Sequence, residues 1–393
     1  MHWHGLKLPV VVGSFVLALS FAVAASARVG PDPSLGVAAW PAPPASYAVP
    51  KRAITVANAA GLRRALAQHR SRDIVLRDGS YESAVPFDNA NGNRLYAQHR
   101  GKAVLKAGIV LGGNSGPGGG LVRGIAFDVD TNTNTLQGSI IHVWGTGRNS
   151  RILDVTLEGH MTVNAGIIAR QVEGLVIRRV NAQHFRSWGV MVDRNQLDAT
   201  VNTPPRVEDV SVAHVTRTVP RSSNGTAEAC VWIGNTATVR RVDAHDCAWE
   251  GLWAGTAARV SLFEYISSHD NEIGVYFEHY NSDSTIRRLQ AGPNVRIGVM
   301  CEWADPAWGY IPGCINIVVE QSYFDTRLAG VILDEGTRRT TVRTSTFVNQ
   351  CWAGIGDYRG VGNLWDTVGN DFSGLKPQAT PISGDHYFTG TCA

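Results

Sequence analysis

The sequence predicts an all-β chain wound into stacked parallel coils, on three observations. Apolar and polar residues alternate with a period of two over many short stretches. In GVYFEHY (274–280), Val275 and Phe277 face one way, and Tyr276 and Glu278 the other. Such stretches recur: a glycine opens the second strand of a unit at 166, 189, 251, 274, 298, 330 and 354, most gaps being 21 to 24 residues and the larger ones holding insertions. Long helical patterns are rare, whereas Gly, Val and Ile are common.

Taken in order, the chain begins with Lys7 and two histidines ahead of an apolar run from Pro9 to about Ala25, closed by Ala25-Ser26-Ala27. This pattern predicts a secretory signal peptide over 1–27, an uncleaved anchor being the alternative. Residues 28–52, rich in Pro and Ala, read as a linker. Asn58 stands where a helix N-cap belongs, ahead of AAGLRRALAQH with its helical apolar spacing. DIVLRDGSY then predicts a short strand closed by an Asp-Gly turn, so the helix reads as a plug on the end of the stack. From about residue 120 the units are plain. Each opens with a strand such as LVIRRV (175–180), VRRV (239–242), IRRL (286–289) or TVRTSTF (341–347), followed by a polar turn such as NAQH, DAHD or SSHDN, then Gly and a second strand. No such coil can bury its apolar side alone, so coils must stack at about 4.8 Å and be capped at both ends. A β-propeller would need about 40–45 residues per blade. The coil domain is expected over 53–375, with a tail over 376–393.

The AAGLRRALAQHRSRDIVLRDGSY opening and repeats such as VEGLVIRRVNAQHFRSWGVMV resemble the right-handed parallel β-helix, or pectate-lyase-like, superfamily. The resemblance implies a right-handed, single-stranded parallel β-helix with a short N-terminal capping helix. It also implies an extracellular, carbohydrate-directed protein: lyase, hydrolase, epimerase or non-catalytic adhesin.

Composition narrows the partners. A formal net charge of +3 with no Lys/Arg run argues against nucleic acid, and no segment after the N-terminal run is long and apolar enough to span a membrane. Six cysteines suit an oxidising compartment. Among the connectivities open to them, we expect Cys301 with Cys314, Cys351 with Cys392 and Cys230 with Cys247. No C-x-x-C pair suggests zinc.

Aligning the second strands (GIIAR, GVMVD, CVWIG, GLWAG, GVYFE, GVMCE, GVILD) creates columns. Positions two and four point inward, and positions three and five outward. The third position includes Trp232, Trp253 and Tyr276, which is either a flat platform for sugar rings or a satellite core under a loop. The fifth includes Glu278, Glu302 and Asp334, with Glu335 following and Asp357 one residue early. Carboxylates on adjacent coils would lie about 5 Å apart, which raises one pKa or calls in a cation. One protonated and one ionised carboxylate can cleave a glycosidic bond. Glu278, Glu302, Asp334, Glu335 and Asp357 are therefore the candidate catalytic residues. Trp232, Trp253, Tyr276, His279, Trp303, Trp308, Arg338 and Arg359 are the candidate substrate-binding residues. No cofactor is required by this reading. The alternative is a lyase or uronate epimerase in which Glu278, Glu302 and Asp334 hold Ca2+. The loop ADPAWGYIPGC (304–314) is a candidate cleft wall. His160, His184, His245 and His269 recur in turns, a place that suggests turn hydrogen bonding rather than metal or proton chemistry. The expected partner is a polysaccharide, met outside the cell.

Overall fold

A computed structural model describes residues 30–31, 47–68, 71–113, 119–145, 147–193, 203–216, 228–234, 236–255, 261–278, 281–301, 314–334, 336–357 and 363–384. His279, Glu302, Trp303, Trp308, Glu335, Arg359, the signal segment 1–27, most of the 28–52 linker, and Cys392 with the end of the tail lie outside these residues.

The chain is a right-handed parallel β-helix. Among the described residues every pairing between strands is parallel, each strand with its equivalent one coil on: Val176–Phe185 pairs with Arg206–Val215, which pairs with Thr238–Cys247, which pairs with Leu262–His269. Each long strand bends where a residue takes a positive φ. In Val176–Phe185 these are Arg179 (53°) and His184 (61°). The bends divide a coil into three faces, typified by residues 176–178, 180–183 and 188–193. The first bend repeats as a column of left-handed residues: Asp154, Arg179, Asp209, Arg241, Tyr265, Arg288, Gln321 and Thr344. For a non-glycine residue this conformation costs about 1 kcal/mol, so the stacking on either side must hold it.

Alternation fills the interior. Val190, Val231, Leu252, Val275, Val299, Val331 and Ile355 form one inward column, each fully buried. Phe324, Phe347 and Phe372 stack at 4.9 Å between centroids toward the C-terminal end. The N-terminal plug is as expected. The helix Ala59–Leu66 has Asn58 as N-cap, its side chain accepting from Gly61 N at 2.8 Å, and it buries Leu62, Ala65 and Leu66 on the end of the core. Coils also stack earlier than the regular repeat suggested: Asp73–Leu76 pairs with Arg94–Ala97, and that strand with Leu121–Arg123. Strand Thr380–Ser383 pairs with Ala353–Gly356, so coiling runs past residue 375.

The outer side of the first face carries alternating charge, coil by coil: Arg178, Glu208, Arg240, Glu264, Arg287, Glu320, Arg343. Glu320 takes Arg287 at 2.6 Å and Arg343 at 2.6 Å, and Glu264 takes Arg240 and, at 3.5 Å, Arg287. Burial pushes the Glu320 carboxyl up, but hydrogen bonds from Arg287 and Arg343 override it and hold it below the usual range. Disulfides join Cys230 to Cys247 and Cys301 to Cys314, as expected; Cys351 is also disulfide-bonded. Among the described residues no helix is long and apolar enough to cross a membrane.

Candidate functional site

The third face was expected to present either an open aromatic platform or a satellite core. The column is there: His142, Ile168, Met191, Trp232, Trp253, Tyr276, Met300 and Ile332 pair in turn. It is not open along its length. Trp253 and Tyr276 are 6% and 5% exposed, and they pack with Ile273, Ile297, Leu328, Ile332 and Trp352 in a second hydrophobic cluster outside the sheet. Trp232 is half-buried, lying 6.0 Å from Trp188 and 5.5 Å from Trp253. Of the two readings of this strip, satellite core describes Trp253 and Tyr276. The same packing accounts for a glycine, Gly255, in line with Glu278 on the preceding coil. A Cβ at Gly255 would lie 2.0 Å from Trp232 Nε1, so the indole occupies the space an acidic side chain would need.

The acidic column runs along the edge where strands of the third face end. Phe277, Cys301 and Leu333 pair in register, so Glu278 and Asp334, which follow the first and the last of them, stand two coils apart. Backbone bonds hold this edge: Glu278 N donates to Ala254 O at 2.9 Å and Asp334 N to Cys301 O at 3.2 Å. The buried Asn281 donates its side-chain amide to the carbonyls of Ala254, Gly255 and Glu278. Glu278 is half-buried and Asp334 is 3% exposed. Two coils separate them, about 9.6 Å at the backbone. Asp357 does not join them. It pairs with Leu333 rather than Asp334, so it falls in an inward column, where its carboxylate accepts from Asn363 Nδ2 and, at 3.2 Å, from Trp365 Nε1. Arg338 begins the strand after the Asp334 turn, which Thr337 closes by donating its hydroxyl to Asp334 O at 2.8 Å. Arg338 is exposed and has no carboxylate partner among the described residues, unlike the paired arginines of the first face.

Calcium, the alternative for this column, takes six to eight oxygen ligands. Among the described residues the column supplies two carboxylates, Glu278 and Asp334, about 9.6 Å apart at the backbone. Glu302, the third residue of that set, lies outside the described residues.

A second constellation lies at the bend between the second and third faces, where the histidines stand. They make more than turn hydrogen bonds. His160 pairs with Asp128, and His184 Nδ1 lies 2.9 Å from Glu158. His214, absent from the sequence reading, stacks on His184 at 4.9 Å and meets His245 edge-on at 6.1 Å. His245 and His269 stack at 4.7 Å with rings 6° apart. Asp243, also missed, is buried beside them. His269 is pushed up to about 9, chiefly by Asp243, with burial opposing and Asp270 adding. Only the recurrence of His before Asp in DAHD and SSHD marked this place in the sequence.

Solved structures share the architecture. The A-module of mannuronan C-5 epimerase AlgE4 from Azotobacter vinelandii matches with a TM-score of 0.61 at 15% identity, over 82% of this chain and 92% of that chain. PfbA, a surface adhesin of Streptococcus pneumoniae, matches with 0.53 at 10% identity, over 82% and 87%. The PL6 family polysaccharide lyase Pedsa3628 from Pseudopedobacter saltans matches with 0.52 at 15% identity, over 79% and 80%. No family model matches the chain, and no curated protein does. At such identities the likeness speaks to architecture, and with the register above it gives the conclusion that this chain has the right-handed parallel β-helix fold.

Proposed function

We propose that this is a secreted protein that modifies an acidic extracellular polysaccharide, at the edge of the third face that carries Glu278 and Asp334, with Glu302 assigned to the same column by sequence alternation. The observation that carries this reading is Arg338. It is an exposed guanidinium with no carboxylate partner among the described residues, set one tight turn beyond Asp334. A carboxylate near a cation is the equipment for taking the proton from the carbon that bears a uronate group. The cation offsets the charge that develops on the uronate, and the carboxylate accepts the proton. Elimination of the 4-linked sugar then gives a lyase; return of the proton on the opposite side gives an epimerase. Glu278, Glu302, Asp334, Glu335 and His279 are the candidate bases, and Arg338 and Arg359 the neutralising groups. The fold's occurrence in an epimerase and in a polysaccharide lyase supports this class over glycoside hydrolysis.

The test is incubation with polyuronates and with neutral glycans. A lyase yields unsaturated ends that absorb in the ultraviolet. An epimerase exchanges C5 hydrogen with heavy water without shortening the chain. A hydrolase yields reducing ends without unsaturation, and the adhesin-like alternative yields no product. Arg338→Ala should raise KM for a polyuronate at least ten-fold, equivalent to about 1.4 kcal/mol. Turnover of neutral glycans alone, or an unchanged KM in that variant, would remove the reading.

A further inference from the structure

We infer that Asp243, His245 and His269 form a binding site for one zinc-class divalent cation, bridging two coils at the bend between the second and third faces. The three side chains are brought together by register. Asp243 and His245 are two residues apart on Thr238–Cys247, hence on the same side of the strand, and His245 pairs with His269 of the next coil. Both imidazoles aim Nε2 at the Asp243 carboxylate, from 3.8 Å for His245 and 3.5 Å for His269. Those distances are long for hydrogen bonds. They are close to the spacing of about 3.4 Å between ligand atoms that share a tetrahedral ion at about 2.1 Å. All three ligand atoms lie within 4.8 Å of one another.

The surroundings fit the same purpose. His245 Nδ1 lies 2.8 Å from Asp246 Oδ2, and His269 Nδ1 lies 2.8 Å from Asp270 Oδ2. A carboxylate that accepts a hydrogen bond from Nδ1–H fixes the ring with Nε2 toward Asp243, which is how metal-bound histidines are oriented, and the ion binds by displacing any proton on Nε2. Asp246 and Asp270 sit at the left-handed bend (φ 53° and 55°), and Asn294 anchors Asp270 at 2.7 Å. The independent sign of a ligand is Asp243. Its side chain is 5% exposed, and its partners are those two imidazoles, at 3.8 and 3.5 Å. Burying a carboxylate so poorly bonded is costly, and a cation between it and the rings removes that cost. Three carboxylates around two imidazoles leave the corner negative. Two ring nitrogens and one oxygen select zinc or a neighbouring late first-row dication over calcium or magnesium. The partial exposure of both rings leaves room for water at a further position.

The test is calorimetric titration of tag-free, chelator-stripped protein with Zn2+ and, separately, Ca2+. One Zn2+ per chain with a rise in Tm is expected, and no comparable Ca2+ binding. Asp243→Asn and His269→Gln should each weaken Zn2+ at least ten-fold, while His99→Gln, at the distant His99–Asp78 pair, should leave it unchanged. Co2+ should give the visible absorption of a four- or five-coordinate ion, a readout independent of variant folding. No saturable Zn2+ binding, no such Co2+ spectrum, or undiminished Zn2+ binding in both folded variants would overturn the assignment.

Discussion

His142 makes the acid stability of this protein calculable. It is 2% exposed, at the N-terminal end of the outer column of the third face, between Val110 and Ile168. Its Nδ1 lies 3.0 Å from Ser139 Oγ, which also reaches Leu136 O at 2.8 Å. Burial, with Arg170 adding repulsion, pushes its pKa down from 6.5 to about 4. The unfolded chain therefore binds a proton below about pH 6.5 that the folded chain refuses until about pH 4. Stability must fall as pH drops through that window, because the unfolded state holds more protons there. Between pH 7.5 and 4.5 the loss works out at about 2.5 kcal/mol. The shift at His269 has the opposite sign. Its contribution is fully present below pH 6.5 and lost as pH rises through about 9, so acidification from pH 7.5 adds about 1.4 kcal/mol of stability to the native protein and to a His142 variant alike, and this cancels in their difference. Urea unfolding of the native sequence and of His142→Gln at both pH values isolates the effect. The native protein should lose about 2.5 kcal/mol more than the variant on acidification. Equal losses would show that His142 is not held neutral, and the reasoning from its burial would fail.

Two further outcomes follow from packing and cross-linking. Gly255→Ala drives a methyl into the Trp232 indole, 2.0 Å from Nε1, and should destabilise the protein by about 1–3 kcal/mol, read as a lower urea midpoint at unchanged m-value. Replacing Cys230 and Cys247 together by Ser removes a link across a sequence separation of 17 and should cost about 3 kcal/mol on the chain-entropy model, read as a lower Tm that reductant cannot lower through this link.

Alternation is the part of this fold that a sequence displays most directly. Val275 and Phe277 were assigned inward from period two alone, and they are fully buried. Alternation reports which side of a strand a residue takes, and nothing about what lies over that side. Trp253 and Tyr276 point outward as expected, yet they are buried in a second layer made by residues distant in the chain, Leu328 and Trp352 among them. Asp357 was legible as one residue early, but its direction followed from Gly356 pairing with Ile332, which sets it in line with Leu333. His214 was missed because its coil falls between the glycines at 189 and 251, where insertions hide the period. Asp243 was missed because a polar residue two before a histidine carries no message until the next coil brings His269 beside it.

The paired arginines of LVIRRV, VRRV and IRRL were visible as strand starts, but their meaning lies in the coils between them. Glu208, Glu264 and Glu320 occupy the same column on the intervening coils. The inward columns cannot distinguish one coil from the next but one, since Val190, Val231, Val275 and Val299 are interchangeable in shape. The charged column can. A strand that skipped its neighbour would set Arg178 against Arg240, or Glu208 against Glu264, and like charges directly opposed destabilise a sheet by about 0.2–1 kcal/mol each. Alternation of charge thus penalises coil skipping at every step while rewarding the native order. Glu264→Lys tests this, since it sets three cations in succession between positions 240 and 287. Glu264→Gln removes the same two ion pairs without adding a charge. If the ladder guides coil order, the Lys variant should refold from urea with a lower native yield than the Gln variant, and salt should narrow the difference by screening it. Equal yields at low salt would mean that the ladder only decorates a register already chosen by the core and the bends.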